Sequence, residues 1–474
     1  MLKLLFIFLF LFAATGVLAQ SGRVIPTPSP NPAENNSFKD KTVQELFTEA
    51  NGYAKKKFAE YEQKKVPFSD TIYYFTVREQ QKLAAKYAAI ANARQNLTGE
   101  DFYYAGMLNW IGDNSDGAAE NLRRFLAIEK PDPQKLQTSR SVVTVIAARQ
   151  KNFDEAEKIL GEYLKSEPTK TTERARMESE LAKAYQKDKN FAKAAPHGEE
   201  AYRQTKSLFK DSATRVRGLS ELLDAGLTAF EIYRDGGNQT EADRTLGDLR
   251  QTALVIGSSE IYYAAIDENI KYLIDTKRKP DALKMYENSL LSATRDFTAK
   301  SVQEDIIRRL KKRERHYKLL GDAAPELEDI DKWFPGAPQT LAGLRGKVVL
   351  LDFWATWCGP CLAAFPALTD WHETFQKDGL VVLGLTRYYG NADGEKADNA
   401  AELEYLKKFR TEKNLPYDFA VAKNQISQTA YGANGLPTTV IIDRKGVVRY
   451  VETGTSRTRE AEIRREIEKL LAEK

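Results

Sequence analysis

Two cysteines, Cys358 and Cys361, occur in the 474 residues of this chain, and both lie in one run, Trp357-Cys358-Gly359-Pro360-Cys361. A cysteine that opens a helix directly after a strand sits where free backbone N–H groups and the helix dipole stabilise a thiolate. Cys358 is therefore the expected nucleophile. Cys361, about one turn further into the helix, is placed to attack a mixed disulfide on Cys358 and release the partner reduced. The spacing itself fits dithiol exchange. Half of a zinc site would need two more ligands, and with no other cysteine and only His197, His316 and His372 in the chain, the pair reads as chemical. No metal is expected, and no cofactor beyond the redox-active disulfide that Cys358 and Cys361 form.

Around the pair stand residues with a second task. Asp352 ends an otherwise apolar strand, where an ionised carboxylate is costly and its pKa rises unless a partner compensates. It is a candidate for moving a proton, the alternative being a hydrogen-bonded, inert carboxyl. Trp354 and Trp357 flank the cysteines with apolar surface, Trp354 having a second reading as a core residue. His372 lies more than three helical turns beyond Cys358 and is expected at the surface. Leu436-Pro437, read without further context, opens a strand, where proline is tolerated.

The elements that must position these residues alternate. Residues 347–353 form a buried-strand run, a helix starts at Cys358, 381–386 is a strand and 400–414 a helix. Residues 438–443 and 447–451 are strands joined by Arg444-Lys445-Gly446, and 459–473 is a final helix. The expectation for 321–474 is a central sheet with helices on both faces.

Upstream the pattern differs. Residues 40–320 are rich in Ala, Leu, Lys, Glu and Tyr at helical spacing. Polar turns followed by a small residue recur at Asp113-Asn114…Ala118, Lys151-Asn152…Ala156, Lys189-Asn190…Ala194 and Gly237-Asn238…Ala242, with a weaker copy at Lys279-Pro280-Asp281-Ala282. These read as helical hairpins in tandem, which must stack to bury their apolar faces. Segments such as Phe153-Asp154-Glu155-Ala156 and Asn190-Phe191-Ala192-Lys193-Ala194 resemble tetratricopeptide repeats, although the intervals depart from the 34 residues of that family. Two uses stay open: a concave surface for a protein partner, or a spacer.

Residues 1–19 read as a secretory signal, with Lys3, an apolar run and Val17-Leu18-Ala19 before Gln20. Export to a periplasmic or other extracytoplasmic space follows, with membrane anchoring as the alternative if the segment stays uncleaved. Residues 20–39 form a proline-rich linker. Lys plus Arg (71) nearly balances Asp plus Glu (67), which carries no electrostatic footprint for nucleic acid.

The run from Val348 through Asp352-Phe353-Trp354-Ala355-Thr356-Trp357 to Cys361 resembles the active-site strand and helix of thioredoxins. Its wording is similar to the exported TlpA/ResA-like oxidoreductases. Pro366, Gly435-Leu436-Pro437-Thr438-Thr439 and Gly321…Ala324-Pro325 match further positions of that fold. The resemblance implies a multidomain chain, an all-α helical-hairpin region followed by an α/β thioredoxin-like domain. It further implies that Leu436-Pro437 is the cis-proline loop, that Leu436 offers backbone hydrogen bonds to an extended client, and that Trp357, Gly359 and Pro360 line the same groove. Asp352 matches the buried acid of thioredoxins and implies general acid/base work towards Cys361. The ResA type instead carries Glu three past its second cysteine; here that place is Ala364, so its handling of the resolving thiol does not carry over. Gly359-Pro360 resembles reducing members, which implies client proteins with disulfides and a membrane electron donor. A helical-repeat adaptor with an accessory thioredoxin fold, and a peroxiredoxin-like antioxidant, are the competing readings. The second lacks its motif, since Ala355 and not Thr stands three before Cys358.

Overall fold

The polar turns of the N-terminal half are where helices end and restart. The computed structural model describes residues 38, 40–210 and 218–473; the signal at 1–19 and almost all of the linker at 20–39 lie outside the described residues. The chain divides into two compact units, one ending at Thr245 and one beginning at Leu246.

The first unit is helical: α1 (Val43–Gln63), α2 (Asp70–Asn92), α3 (Asp101–Ile111), α4 (Ser115–Leu126), α5 (Pro133–Arg149), α6 (Phe153–Leu164), α7 (Thr171–Lys187), α8 (Phe191–Ser207) and α9 (Leu219–Asp235), with α10 (Gln239–Ile256) running on into the second. Asp113, Lys151 and Lys189 take left-handed φ values of 64°, 59° and 57°. The asparagine after each donates its N–H to the carbonyl five residues back, on Asn109, Ala147 and Tyr185, at 2.9, 2.8 and 2.9 Å, which closes the preceding helix. The side chains of Asn114, Asn152 and Asn190 then accept the N–H groups of Gly117, Glu155 and Lys193 and cap the next helix. Ala118, Ala156, Ala194 and Ala242 are fully buried, so the small residue of each turn is where two helices touch. Each hairpin thus follows from one short string of sequence.

The second unit adds α11 (Ser259–Asp275), α12 (Lys279–Asp296) and α13 (Lys300–Leu319) to a six-stranded sheet. Its strands are β1 (Ile330–Phe334), β2 (Val348–Phe353), β3 (Leu380–Arg387), β6 (Asp418–Ala422), β7 (Thr438–Ile442) and β8 (Val448–Thr453), in spatial order β1-β6-β3-β2-β7-β8. A two-stranded ribbon, β4 (Asn391–Ala392) and β5 (Glu395–Lys396), lies apart. The helices are α14 (Gly359–Phe375), α15 (Asn399–Glu412), α16 (Ile426–Ala430) and α17 (Arg457–Ala472). Strand β2 is parallel to β3 and antiparallel to β7, and Asp352 pairs with Gly384 on one side and Thr439 on the other. All six β2 residues are buried, as a strand covered on both faces requires. No helix among the described residues is long and apolar enough to cross a membrane.

A buried ion cluster fastens α13 to the sheet. The Arg313 guanidinium donates to Asp267 at 3.1 Å and to Glu452 on β8 at 2.8 Å, and Tyr317 donates to Asp267 at 2.6 Å. Arg313 also donates to His316 Nδ1 at 3.0 Å; since arginine only donates, the ring proton sits on Nε2, which donates to the Gly432 carbonyl at 2.9 Å. Burial, and then the neighbouring Arg313 charge, push the His316 pKa down to about 4, so the ring is neutral. Gly432 has φ 66°, and a Cβ there would stand 2.9 Å from the His316 ring.

Arg313→Ala leaves Asp267 and Glu452 buried with only Lys271 shared between them and Arg459 beside Glu452, and is expected to cost about 3 kcal/mol. Lys318→Ala, which removes an exposed partner of Glu314 on the same helix, is expected to cost under about 1 kcal/mol. Urea unfolding followed by tryptophan fluorescence checks the contrast; equal losses would show that the cluster does not anchor α13.

Candidate active site

Beyond Phe353 the chain runs through Trp354-Ala355-Thr356-Trp357 into α14. Cys358 is the N-cap of that helix, and its sulfur accepts the Cys361 N–H at 3.2 Å. Gly359 and Pro360 fill the first helical positions, where the missing proline N–H is one the helix leaves free anyway. The two cysteines are joined as a disulfide with Cα atoms 5.2 Å apart. Cys358 retains 5% of its surface and Cys361 none, so the sulfur that a client can reach is that of Cys358.

A cavity of about 600 Å³ opens over this sulfur, lined by Trp357, Cys358, Gly359, Pro360, Arg387, Tyr389, Gln428, Asn434 and Leu436, among others. Trp357, 58% exposed, meets the Tyr389 ring edge-on at 5.3 Å. The Arg387 guanidinium lies over the same ring at 4.1 Å and donates to Gln428 at 3.0 Å, and Gln428 donates to the Tyr389 hydroxyl at 2.9 Å. Glu402, buried at the start of α15, accepts the N–H groups of Tyr389 and Gly390 at 2.9 and 2.8 Å and fixes their loop. On the opposite wall the Leu436–Pro437 bond is cis. Among the described residues the backbone N–H and C=O of Leu436 make no hydrogen bond to protein, whereas the Pro437 carbonyl accepts from Gly454 at 2.7 Å.

Asp352 is buried on the β2 face it shares with Val348 and Leu350, which pack in the same core as Cys361. One carboxyl oxygen accepts from Thr439 at 3.3 Å and the other has no partner. Burial pushes its pKa up to about 8, against which the Thr439 hydroxyl pulls only weakly. The carboxyl can therefore hold a proton at neutral pH and give it up just above. Tyr417, whose buried hydroxyl is also unpartnered, feels the Asp352 charge.

Trp357, Gly359, Pro360 and Leu436 come together around Cys358, with Pro437 directly behind Leu436 at the start of β7. Trp354 belongs to the core, stacked on Phe409 at 5.6 Å with Phe365 and Phe419 edge-on. His372, expected at the surface, is partly buried, its ring 6.2 Å from that of Tyr417. Sequence reasoning missed Arg387, Tyr389 and Gln428. Arg387 and Tyr389 lie at the carboxyl end of a central parallel strand, where an open α/β sheet binds its ligands, whereas Gln428 sits on α16 and carries no such cue.

The family model described as Redoxin matches residues 319–469. The thiol-disulfide oxidoreductase ResA of Geobacillus thermodenitrificans is 32% identical over 138 residues, 29% of this chain and 70% of that protein. Protein DipZ of Mycobacterium tuberculosis is 35% identical over 137 residues, 28% of this chain but 18% of its own length. A crystal structure of a thiol:disulfide interchange protein of the thioredoxin family from Chlorobium tepidum aligns at 24% identity and a TM-score of 0.26, covering 32% of this chain and 96% of its own.

The Asp352 carboxyl ionises near pH 4 in an unfolded chain and near pH 8 here, so the folded state holds an extra proton between those values and loses stability as pH rises through them. Asp352→Asn is expected to be more stable than the parent by on the order of a few kcal/mol at pH 8, the gap closing towards pH 4. Urea unfolding of the oxidised protein at pH 4, 6 and 8 checks this. A gap that does not change with pH would show that Asp352 titrates normally.

Proposed function

The chain belongs to the ResA-like thiol-disulfide oxidoreductases, and from that premise we propose that it reduces disulfides of client proteins outside the cytoplasm. The observation that carries this reading is the reachable Cys358 sulfur at a helix N-terminus, over a cavity walled by unpaired Leu436 backbone. In the reduced enzyme the Cys358 thiolate attacks one client sulfur and expels the other as a thiolate. An S–S bond now joins enzyme and client. Cys361, relieved of its proton by Asp352, attacks Cys358 and releases the second client thiolate. Two electrons have passed to the client, and the Cys358–Cys361 disulfide has formed.

The client lies extended along Leu436, its backbone pairing with the free N–H and C=O, while Trp357, Gly359 and Pro360 supply apolar contact. Export by the 1–19 signal, cleaved or retained as an anchor, puts the enzyme in an oxidising space, so a membrane protein must return its electrons. The helical hairpins, read as tetratricopeptide-like, offer a separate surface to a protein partner; Phe68, Tyr74 and Phe75 expose apolar area there.

Cys358→Ser is expected to abolish reduction of insulin disulfides. Cys361→Ser is expected to stall with clients covalently attached, read by non-reducing electrophoresis of the exported fraction. Asp352→Asn is expected to slow turnover by about 10²-fold at pH 7 while leaving the first mixed disulfide fast. Capture of clients by Cys358→Ser as readily as by Cys361→Ser would overturn the assignment.

A further inference from the structure

The redox cavity does not end at Leu436. Asn434 lines it and also lines a second cavity of about 580 Å³ whose other walls are Glu304, Ile307, Arg308, Lys311 and Lys312 of α13. The two share Asn434 as a wall residue and so lie next to each other within the unit that begins at Leu246. Helix α13 is held against this loop: Arg315 donates to the Ala430 carbonyl at 2.7 Å and His316 to that of Gly432 at 2.9 Å. Spacing by three and four residues puts Arg308, Lys311, Lys312 and Arg315 on one side of the helix.

Charge is distributed unevenly on this surface. Arg387 is the one charged side chain lining the redox cavity, and no carboxylate stands within salt-bridge distance of it among the described residues. Its Nε is spent on Gln428 and one terminal nitrogen on the Tyr388 carbonyl at 3.1 Å, and its other side-chain neighbour is Tyr389, so every partner it has is neutral. The lysines beside Asn434 are similar. Arg308 is engaged by Asp305, but neither Lys311 nor Lys312 has a carboxylate at that distance, and Glu304 is the only acid in the second cavity. Elsewhere on α13 cations are paired, as Arg309 with Asp305 at 2.9 Å and Lys318 with Glu314 at 2.6 Å. Cations left unpaired along a groove beside a reactive sulfur favour a ligand of opposite sign.

Resting on the oxidoreductase reading above, we propose that this groove selects clients whose cysteine lies in an extended acidic segment, with carboxylates meeting Arg387 on one side of Cys358 and Lys311 and Lys312 across Asn434 on the other. The backbone of such a segment pairs with Leu436 and its charges set the register. Arg387 is then a specificity-determining residue, and α13, outside the α/β fold proper, is part of the client site.

Three extended peptides test this, each with a central cysteine bound as a mixed disulfide to thionitrobenzoate and flanked by Asp and Glu, by Ser and Gln, or by Lys. Attack by Cys358 on the peptide sulfur expels thionitrobenzoate, and Cys361 then frees the peptide thiol and closes the Cys358–Cys361 disulfide; in this single turnover the reduced chain should release thionitrobenzoate with a second-order constant about tenfold higher for the acidic than for the neutral peptide, from several exposed pairs acting together. The ratio should shrink towards one between 0.02 and 0.5 M salt. The variant carrying R387E, K311E and K312E should prefer the Lys-flanked peptide, whereas K407E with K408E, on α15, should keep the original order. Equal rates for the three peptides, or an equal effect of the α15 variant, would overturn the proposal. If the neutral peptide shows no Cys358-dependent release, the oxidoreductase reading itself has failed. Fluorescence anisotropy with a cysteine-free acidic peptide on the oxidised chain then decides the groove alone: tighter binding than for the neutral peptide, lost in the triple variant, supports it, and no preference ends it.

Discussion

A helix that starts one turn after a buried strand leaves its first N–H groups without carbonyl partners, and the whole site is built on what fills that gap. Here the filler is sulfur. The Cys361 N–H, which also donates to the Cys358 carbonyl at 3.0 Å, points at Cys358 Sγ across 3.2 Å, the place that a serine, threonine, asparagine or aspartate oxygen takes at several other helices of this chain. A neutral sulfur gains little from such a donor, but a thiolate gains a charge-assisted bond and the favourable end of the helix dipole. Holding Cys358 there requires β2 to be immobile, which its pairing to β3 and β7 and its burial on both faces provide.

The same burial that fixes β2 makes Asp352 expensive to ionise. Its free carboxyl oxygen, and the single contact to Thr439, leave desolvation almost unopposed, and a group that would ordinarily be charged stays mostly protonated at neutral pH. The proposed nucleophile and base thus meet opposite surroundings at one helix–strand junction: the sulfur faces a helix N–H, whereas one carboxyl oxygen has no donor. Gly384, paired with Asp352 on β3, is part of the cost, because a Cβ there would come within 2.8 Å of the Trp354 ring. The loop facing the sulfur is held from outside the sheet, by the neutral His316 ring on Gly432 and the Arg313 cluster beneath it.

Much of this was legible in the sequence where one residue type carries one physical demand. The C-x-x-C after an apolar strand placed β2 and the start of α14 to within a residue, and asparagine after a residue with left-handed φ located the hairpin turns because that string both closes one helix and caps the next. Strands β1 and β6 escaped. Ile330–Phe334 is an edge strand with Asp331 and Lys332 exposed, so it lacks the apolar run that marks a buried one, and Asp418–Ala422 opens on an aspartate and holds two alanines, so it lacks the β-branched run that marked β7. Arg387, Tyr389 and Gln428 were equally silent, since their meeting depends on the register of β3 with β6 and on Glu402 fixing the intervening loop, neither of which leaves a local signature. The passage to α/β sequence at Gly321 was visible, but the compact unit starts at Leu246, and what joins α11 and α13 to β8 includes four ionised side chains far apart in the chain, Asp267, Lys271, Arg313 and Glu452.

Alkylation of the reduced chain by iodoacetamide across pH 4 to 10, with the label on Cys358 quantified by mass spectrometry, tests the account at its root. A sulfur that caps a helix N-terminus should react with a midpoint at or below about 7.5, well under the roughly 8.5 of a free thiol. A midpoint at or above that free value would mean that the helix start does not activate Cys358, and the chemistry assigned to it would have no source.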